Sequence, residues 1–451
     1  MVVDLTKGPV VSTLLRFAMP MFFASLLQTL YGMVDMIVVG QVIGSSGLSG
    51  VSIGTDLNNM LMFIALSFSS AGGVHISQAI GAGDTERVKD IIGCIFTFLF
   101  MTAIAMTTFC LIMIDRIIVW INAPVESAQY AKEYLIVCAL GLFFIYGYNC
   151  VSAILRSMGD SSHPFIFIAV ATVINLILDI LFVVVLQWEV RGAALATVIA
   201  QSVSFIYAII FLYRRKEFFC FDFKLSSFRI KKQVFIPIIK LGLPMMLQFA
   251  AVDFSKLCIN SWINTYGVIS SALTGVGNKL SSFVSVFTGA FSSAACSMIG
   301  QSIGARKYDR VSKVVFSSFA CCLPIAIAMC IWNGFFPKTV FGIFTSEAAV
   351  LERAAEFVPV AILLYLGCAL RPPMLGLIEG VGNYKLNFVV ALLDGIIIRI
   401  GLSYYLGIIA GVGLHGFWYG AACASLVPFF VGIVYFISGT WKTDRYVTAG
   451  D

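Results

Sequence analysis

The sequence predicts an all-α integral membrane protein, with twelve transmembrane helices in two six-helix lobes that form a parallel six-plus-six repeat. Three observations carry this. Hydrophobic residues make up 60% of the chain, charged residues 12%, and mean hydropathy is +0.97. A soluble domain carries about 25% charge, so this chain has too little to cover a water-facing surface. The second observation is a repeat. Phe68-Ser-Ser-Ala71, Ser77-Gln-Ala-Ile-Gly-Ala82 and Arg87-Val88 return as Phe291-Ser-Ser-Ala294, Gly300-Gln-Ser-Ile-Gly-Ala305 and Arg310-Val311, about 223 residues later. Pro20-Met21 and Pro244-Met245 form a similar pair. The third is length: 451 residues suit about twelve spans of 20 to 30 residues each.

The first span is predicted at 14–41. Asp4 and Lys7 precede it, and it is too long for a signal-peptide core, so it is expected to be retained. Spans follow at 48–80 and 88–114, joined by Gly81-Ala-Gly-Asp84. Spans at 128–158, 163–187 and 190–213 complete the first half. Arg214 to Lys232 then holds seven basic residues and is the only sizeable polar linker. The second half has spans at 234–264, 268–303, 311–335, 350–382, 386–409 and 412–438. The expected organisation is an N-lobe at 1–213, a cytoplasmic basic linker at 214–233 and a C-lobe at 234–451. Several spans exceed the bilayer and must tilt, bend or project. Pro20, Pro244, Pro324, Pro359, Pro372 and Pro373 are natural bend points. Six spans per half is an even number, so both halves cross in the same sense. They are then related by an axis along the membrane normal, with the substrate path between them.

Positive charge sets the orientation. With both termini cytoplasmic, about 18 of the 29 basic residues fall inside: Lys7, Arg87, Lys89, Arg156, the linker cluster, Arg306 to Lys313, Lys385 and the tail. About five fall outside. The repeated Gly-Ala loops at 81–84 and 304–306 read as tight cytoplasmic turns. Glycines before a helix can also bind phosphate, but no Walker lysine follows. The twelve cysteines lie mostly inside apolar segments without a Cys-x-x-Cys pair, as small packing residues do. His75, His163 and His415 are scattered and offer no ligand spacing. That argues against a membrane enzyme. No filter-like segment suggests a channel.

Charges within spans mark candidate sites. Arg16 and Lys240 sit at matching places before Pro20 and Pro244, near span ends, where they can snorkel. Asp35 lies late in span 1 and Asp179 in span 5, without a Lys or Arg within four residues of either. A carboxylate at a helix centre costs about 2.5–3.5 kcal/mol to insert. It lowers that cost by taking a proton, pairing or facing water. Asn175 and Asp179 are four apart and share a helix face. One reading is proton or cation coupling; the plainer one is a pair of acids that hydrogen-bond other helices and never titrate. In span 7, Asp253 and Lys256 share a face and form either an internal ion pair or a site. Asp394 and Arg399 are five apart in span 11, so on an α-helix their faces diverge. Lys279 and Arg371 show no local partner. Asp56 and Glu379 lie near span ends, where water can reach them. Most of the 39 phenylalanines and 16 methionines must face lipid or neighbouring helices.

Several fragments, in order, resemble the multidrug and toxic compound extrusion (MATE) family, specifically its DinF-like prokaryotic branch. They are Pro20 with Leu30-Tyr31 and Asp35-x-x-Val-Val-Gly40, then Gln78-x-x-Gly81-x-Gly83 and Arg156-Ser-Met-Gly-Asp160. Gly192-Ala-Ala-Leu-Ala-Thr197, Lys240-Leu-Gly-Leu-Pro244 and Gln301-x-x-Gly304-Ala305 follow. The resemblance implies two lobes around a central cleft, and export of organic, often cationic or amphipathic, compounds in exchange for protons or sodium by alternating access. It implies that Asp35, Asn175, Asp179 and Thr197 form an N-lobe coupling network, with Pro20 as the hinge of span 1. A C-lobe polar site would draw on Asp253, Lys256, Lys279, Asp394 and Arg399, although Lys256 would compete with a sodium ion at Asp253.

No cofactor is expected beyond the coupling ion, H+ or Na+, and neither a metal site nor catalysis. Expected partners are small organic substrates and membrane lipid, not nucleic acid, around a monomer in the inner membrane of a prokaryote. A second reading within the superfamily is a flippase of lipid-linked oligosaccharide or polysaccharide, for which Lys256, Lys279, Arg371 and Arg399 would supply basic lining. Asp35 and Asp179 have no acidic counterparts in the second half, where Ile259 and Leu402 or Ser403 stand. The broken symmetry points to the N-lobe as the coupling side.

Overall fold

A computed structural model of the chain describes residues 4–442; the tail beyond Lys442, with Arg445, lies outside the described residues. Among them, twelve helices are long and apolar enough to cross a membrane. They are α1 (Val10–Ile43), α2 (Ser45–Ala82), α3 (Thr85–Trp120), α4 (Val125–Ser157), α5 (Ser162–Val185), α6 (Glu189–Arg214), α7 (Lys232–Asn264), α8 (Val268–Gly304), α9 (Tyr308–Phe335), α10 (Ala348–Val381), α11 (Tyr384–Ile409) and α12 (Leu414–Ser438). Each predicted span is a helix. The prolines sit inside them: Pro20 in α1, Pro324 in α9, and Pro359, Pro372 and Pro373 in α10. Helix α3 runs past its predicted end at 114 because Ile117 to Trp120 stay apolar and Asp115 is paired by Lys132 of α4.

The turns end and restart the helices by local chemistry. Gly83 closes α2 in the left-handed conformation, and the Asp84 carboxylate accepts from the Arg87 N–H at 3.0 Å to cap α3. This is the tight-turn role read for the Gly-Ala loop. Asn383 caps α11 in the same way through the Leu386 N–H.

Packing repeats between the halves. Helix α2 makes its most extensive contact with α4, and α8 with α10. Interrupted helices repeat too. Helix α5 becomes π-helical at Ile180–Val185, and α11 at Leu393–Ile398 and again at Tyr405–Ile409. Gly192 of α6 and Gly416 of α12 play one role twice. A Cβ on Gly192 would come within 3.1–3.2 Å of the Phe182 backbone, and one on Gly416 within 2.5–2.6 Å of the Leu406 carbonyl. Glycine at both places lets the following helix press against the π-helical turn.

By contact the chain forms two compact units. One holds residues 23–242, the other residues 4–22 together with the chain from Leu243 onward. The boundaries fall inside α1 and α7, beside Pro20 and Pro244, so the opening stretch of each helix groups with the other half of the sequence. Hydrogen bonds explain both assignments. The Leu5 N–H donates to Gln301 Oε1 at 3.2 Å, and Arg310 donates from three nitrogens to the carbonyls of Leu5, Lys7 and Gly8 at 2.7–2.9 Å. In the first unit, Lys89 pairs with Asp222 at 2.9 Å and Lys231 pairs with Asp90, which fixes the 214–231 linker beside α3.

Candidate functional site

The N-half acids meet inside the first unit. Asp35 of α1 is 5% exposed and Asp179 of α5 is 1% exposed; Asn175, Thr197 and Gln201 beside them are also buried. The two carboxyls lie close enough for each to act on the other. Thr197 Oγ1 donates to Asp35 Oδ2 at a long 3.4 Å. Asp35 Oδ1 and both Asp179 oxygens find no hydrogen-bond donor in the protein. Among the described residues, no salt bridge reaches either acid.

Local structure places them. The α-helical part of α5 ends at Asp179, where the π-helical turn begins. Such turns widen the helix and shift its register, and they recur at functional sites. Gly192 brings α6 against that turn, so Thr197 reaches Asp35. Beside the acids, Val39, Val183, Val190 and Ala193 form a fully buried apolar cluster. A small cavity of about 10 Å³, room for roughly one water, lies among Tyr31, Asn175, Thr197 and Gln201. Neither Tyr31, which entered only as part of the family fragment, nor Gln201 was expected from the sequence as a site residue. Their signal was spacing: Tyr31 is four before Asp35 and Gln201 four after Thr197, each on the same helix face as its neighbour.

The C-half charges meet in the second unit, with different chemistry. Asp394 is fully buried. Arg399 Nη2 lies 2.6 Å from Asp394 Oδ1, and Arg371 Nη1 lies 2.9 Å from Oδ2. This overturns one expectation. Asp394 and Arg399 do not diverge, because Leu393–Ile398 is π-helical and i→i+5 winding stacks residues five apart. Arg371, whose own helix offers it no partner, takes one from the neighbouring helix. Asp253 and Lys256 form the anticipated pair at 3.1 Å, with both side chains about half exposed. Lys256, Arg371 and Arg399 all lie within electrostatic reach of Cys368. Lys279 stays on an exposed face of α8 without an ion pair among the described residues. Nor does any group of three His, Cys, Asp or Glu among those residues gather as metal ligands.

Comparison with known proteins agrees with this architecture. The MatE family profile matches residues 20–181 and again 244–405. The chain is 25% identical over 449 residues to the probable multidrug resistance protein YpnP of Bacillus subtilis, covering 99% of both. It is 24% identical to the multidrug export protein MepA of Staphylococcus saprophyticus, covering 87% of this chain and 86% of that one. Its fold matches the crystal structure of MATE in the bent conformation with a TM-score of 0.88, at 21% identity and 99% coverage of each. Both matched segments span five helices of one half, and together they cover most of the chain: this protein belongs to the MatE family of multi-pass membrane transporters and is not an enzyme.

Proposed function

We propose that the protein exports small organic compounds, cationic or amphipathic, in exchange for protons entering through the Asp35–Asp179 pair. The observation that carries this reading is the meeting of two buried carboxyls without a cation to neutralise them. A hydrogen bond between two carboxyls needs a proton on one of them. Two bare carboxylates in an apolar lobe would instead repel, each already costly to bury. The pair therefore has reason to bind a proton in one state and release it in another. Thr197 orients the Asp35 carboxyl, and the cavity, which Asn175 helps to line, has room for a water. The relatives YpnP and MepA are named for multidrug resistance and multidrug export, which supports small organic compounds as the cargo.

In the proposed cycle, proton uptake from outside lets Asp35 and Asp179 hydrogen-bond to each other. That favours bending of α1 at Pro20, which displaces the bound compound. The lobes then rock by alternating access, and the proton leaves to the cytoplasm. One proton crossing 100 mV supplies about 2.3 kcal/mol, enough for roughly a fiftyfold concentration ratio. In this reading the N-lobe (1–213) and C-lobe (234–451), joined by the basic linker, act as the moving bodies of a monomer in the inner membrane of a prokaryote, with both termini cytoplasmic. Sodium is the alternative coupling ion.

Uptake into everted vesicles, with proton and sodium gradients imposed separately, tests the reading. Asp35→Asn is expected to abolish proton-driven uptake of an organic cation. Unchanged uptake under both gradients would remove Asp35 from the mechanism. A second reading, flipping of a lipid-linked oligosaccharide, draws on Lys256, Arg371 and Arg399 in the second unit. It would prevail if no organic cation moved while such a lipid did.

A further inference from the structure

We propose that the cleft at the α8–α9 turn of the second unit is a site for one anionic phospholipid. The cleft measures about 850 Å³ and lies between the start of α1 and the start of α9. Four basic side chains line it, Arg306, Lys307, Arg310 and Lys313, against the single acid Asp309. Two of the four are occupied. Arg310 spends its guanidinium on the carbonyls of Leu5, Lys7 and Gly8, and Lys307 Nζ donates to the Thr6 carbonyl at 3.0 Å. Arg306 and Lys313 are exposed and form no ion pair among the described residues. Arg306 also has φ 56, a left-handed conformation that L side chains rarely adopt. The repeat puts Gly83 at the equivalent turn, with φ 75. An arginine held where its twin uses glycine points to a role for the side chain rather than for the turn.

The other wall of the cleft is apolar. Val11 is 48% exposed and Phe316 is 63% exposed. Phe316 stands eight residues into α9, about 12 Å along the axis from Tyr308. A molecule that fills this cleft meets positive charge at the turn and hydrocarbon a headgroup's depth below. That is the profile of a phospholipid with a net negative headgroup. The equivalent cleft of the first unit, about 380 Å³, has Lys89 and Lys216 facing Glu86, Glu217 and Asp222. Its two lysines face three acids, and Lys89 is already paired with Asp222, so it offers no net positive charge and the proposed lipid belongs to one unit only.

Thermal unfolding of the full chain in detergent, titrated with phosphatidylglycerol or phosphatidylcholine, tests this. Phosphatidylglycerol is expected to raise Tm and phosphatidylcholine is not. The variant Arg306→Gly/Lys313→Gln should need at least tenfold more phosphatidylglycerol for half the shift. Its own Tm without lipid should be equal or higher, because glycine fits the turn. An equal response of the variant and the wild type would overturn the site. So would an equal loss in Lys216→Gln at the matched cleft, which would mean diffuse charge. An equal shift from soluble glycerol phosphate would overturn the lipid assignment, since a free phosphate needs no apolar wall.

Discussion

Where α5 of the first unit carries Asn175, α11 of the second carries Arg399, and this exchange separates the two polar sites. The family match aligns residue 20 with residue 244, a shift of 224. Under it Asp35 answers to Ile259, Asp179 to Ser403, and Thr197 to Ala421. The scaffold contact survives: Arg399 Nη1 donates to the Ala421 carbonyl at 3.4 Å, between the same two helices that bring Thr197 toward Asn175 in the first unit. The electrostatics invert. The first unit buries two carboxyls without a cation, and the second buries one carboxylate between two guanidiniums. A group balanced by fixed opposite charge holds one charge state, whereas an unbalanced pair can exchange a proton. The same fold thus yields a site built to titrate and a site built to stay charged.

The largest effect should come from unbalancing the second site. Asp394→Asn leaves Arg399 buried with no carboxylate, and breaking a buried pair in this way costs about 3–5 kcal/mol. Asp35→Asn removes a buried acid that has no cation partner, so its stability should stay within about 1 kcal/mol of wild type. Guanidine or thermal unfolding of both variants in the same detergent measures the contrast. Equal losses would break it. The next effect concerns the shared scaffold. Gly416→Ala drives a methyl into the Leu406 backbone and should cost about 1–3 kcal/mol by overpacking. Gly192→Ala, with its looser 3.0–3.2 Å contacts, should cost less. The reverse order would mean that the two turns are not equivalent.

Much of this contrast is legible in the residues, because intramembrane acids are costly and stand out against an apolar chain. Asp35, Asp179 and Asn175 stand out by type and spacing, and Thr197 joins them only through the family resemblance. The spans were legible for the same reason, as length and hydropathy fix them. What escaped is whatever depends on departures from α-helical winding. Asp394 and Arg399 share a face only because the helix turns π there, and no local residue pattern announces that. Arg371 found its partner across a helix boundary, a pairing that spacing within one helix cannot reveal. The grouping of residues 4–22 with the second half was hidden because it rests on Arg310 reading backbone carbonyls, which carry no sequence signature.

A smaller effect sharpens the titrating side. Thr197→Val keeps the shape and removes the hydroxyl that donates to Asp35. At 3.4 Å that bond is long, so its loss should cost about 0.5–1 kcal/mol, or roughly a two- to fivefold change in proton-driven uptake. Uptake into everted vesicles at fixed gradient reads it. A hundredfold loss would make Thr197 more than an orienting group.

The smallest effect compares the segments that bind each unit's turn. In the first unit the linker is held by an ion pair: Lys89 beside Asp222, with Ser227 Oγ donating to the same carboxylate at 2.6 Å, keeps the Asp222 carboxyl below the usual range. A carboxyl depressed in the folded state stabilises it above the unfolded value of about 3.9, and that contribution disappears as pH falls through the lower folded value. In the second unit the strap is held by Arg310 on carbonyl oxygens, none of which titrates in that range. Asp222→Asn should therefore lower Tm slightly at pH 7, with the difference from wild type closing toward pH 2. Arg310→Gln should lower Tm by an amount that does not change between those two pH values. A constant deficit for Asp222→Asn across the range would mean that its carboxylate holds the linker by shape rather than by charge, and the two straps would then work alike.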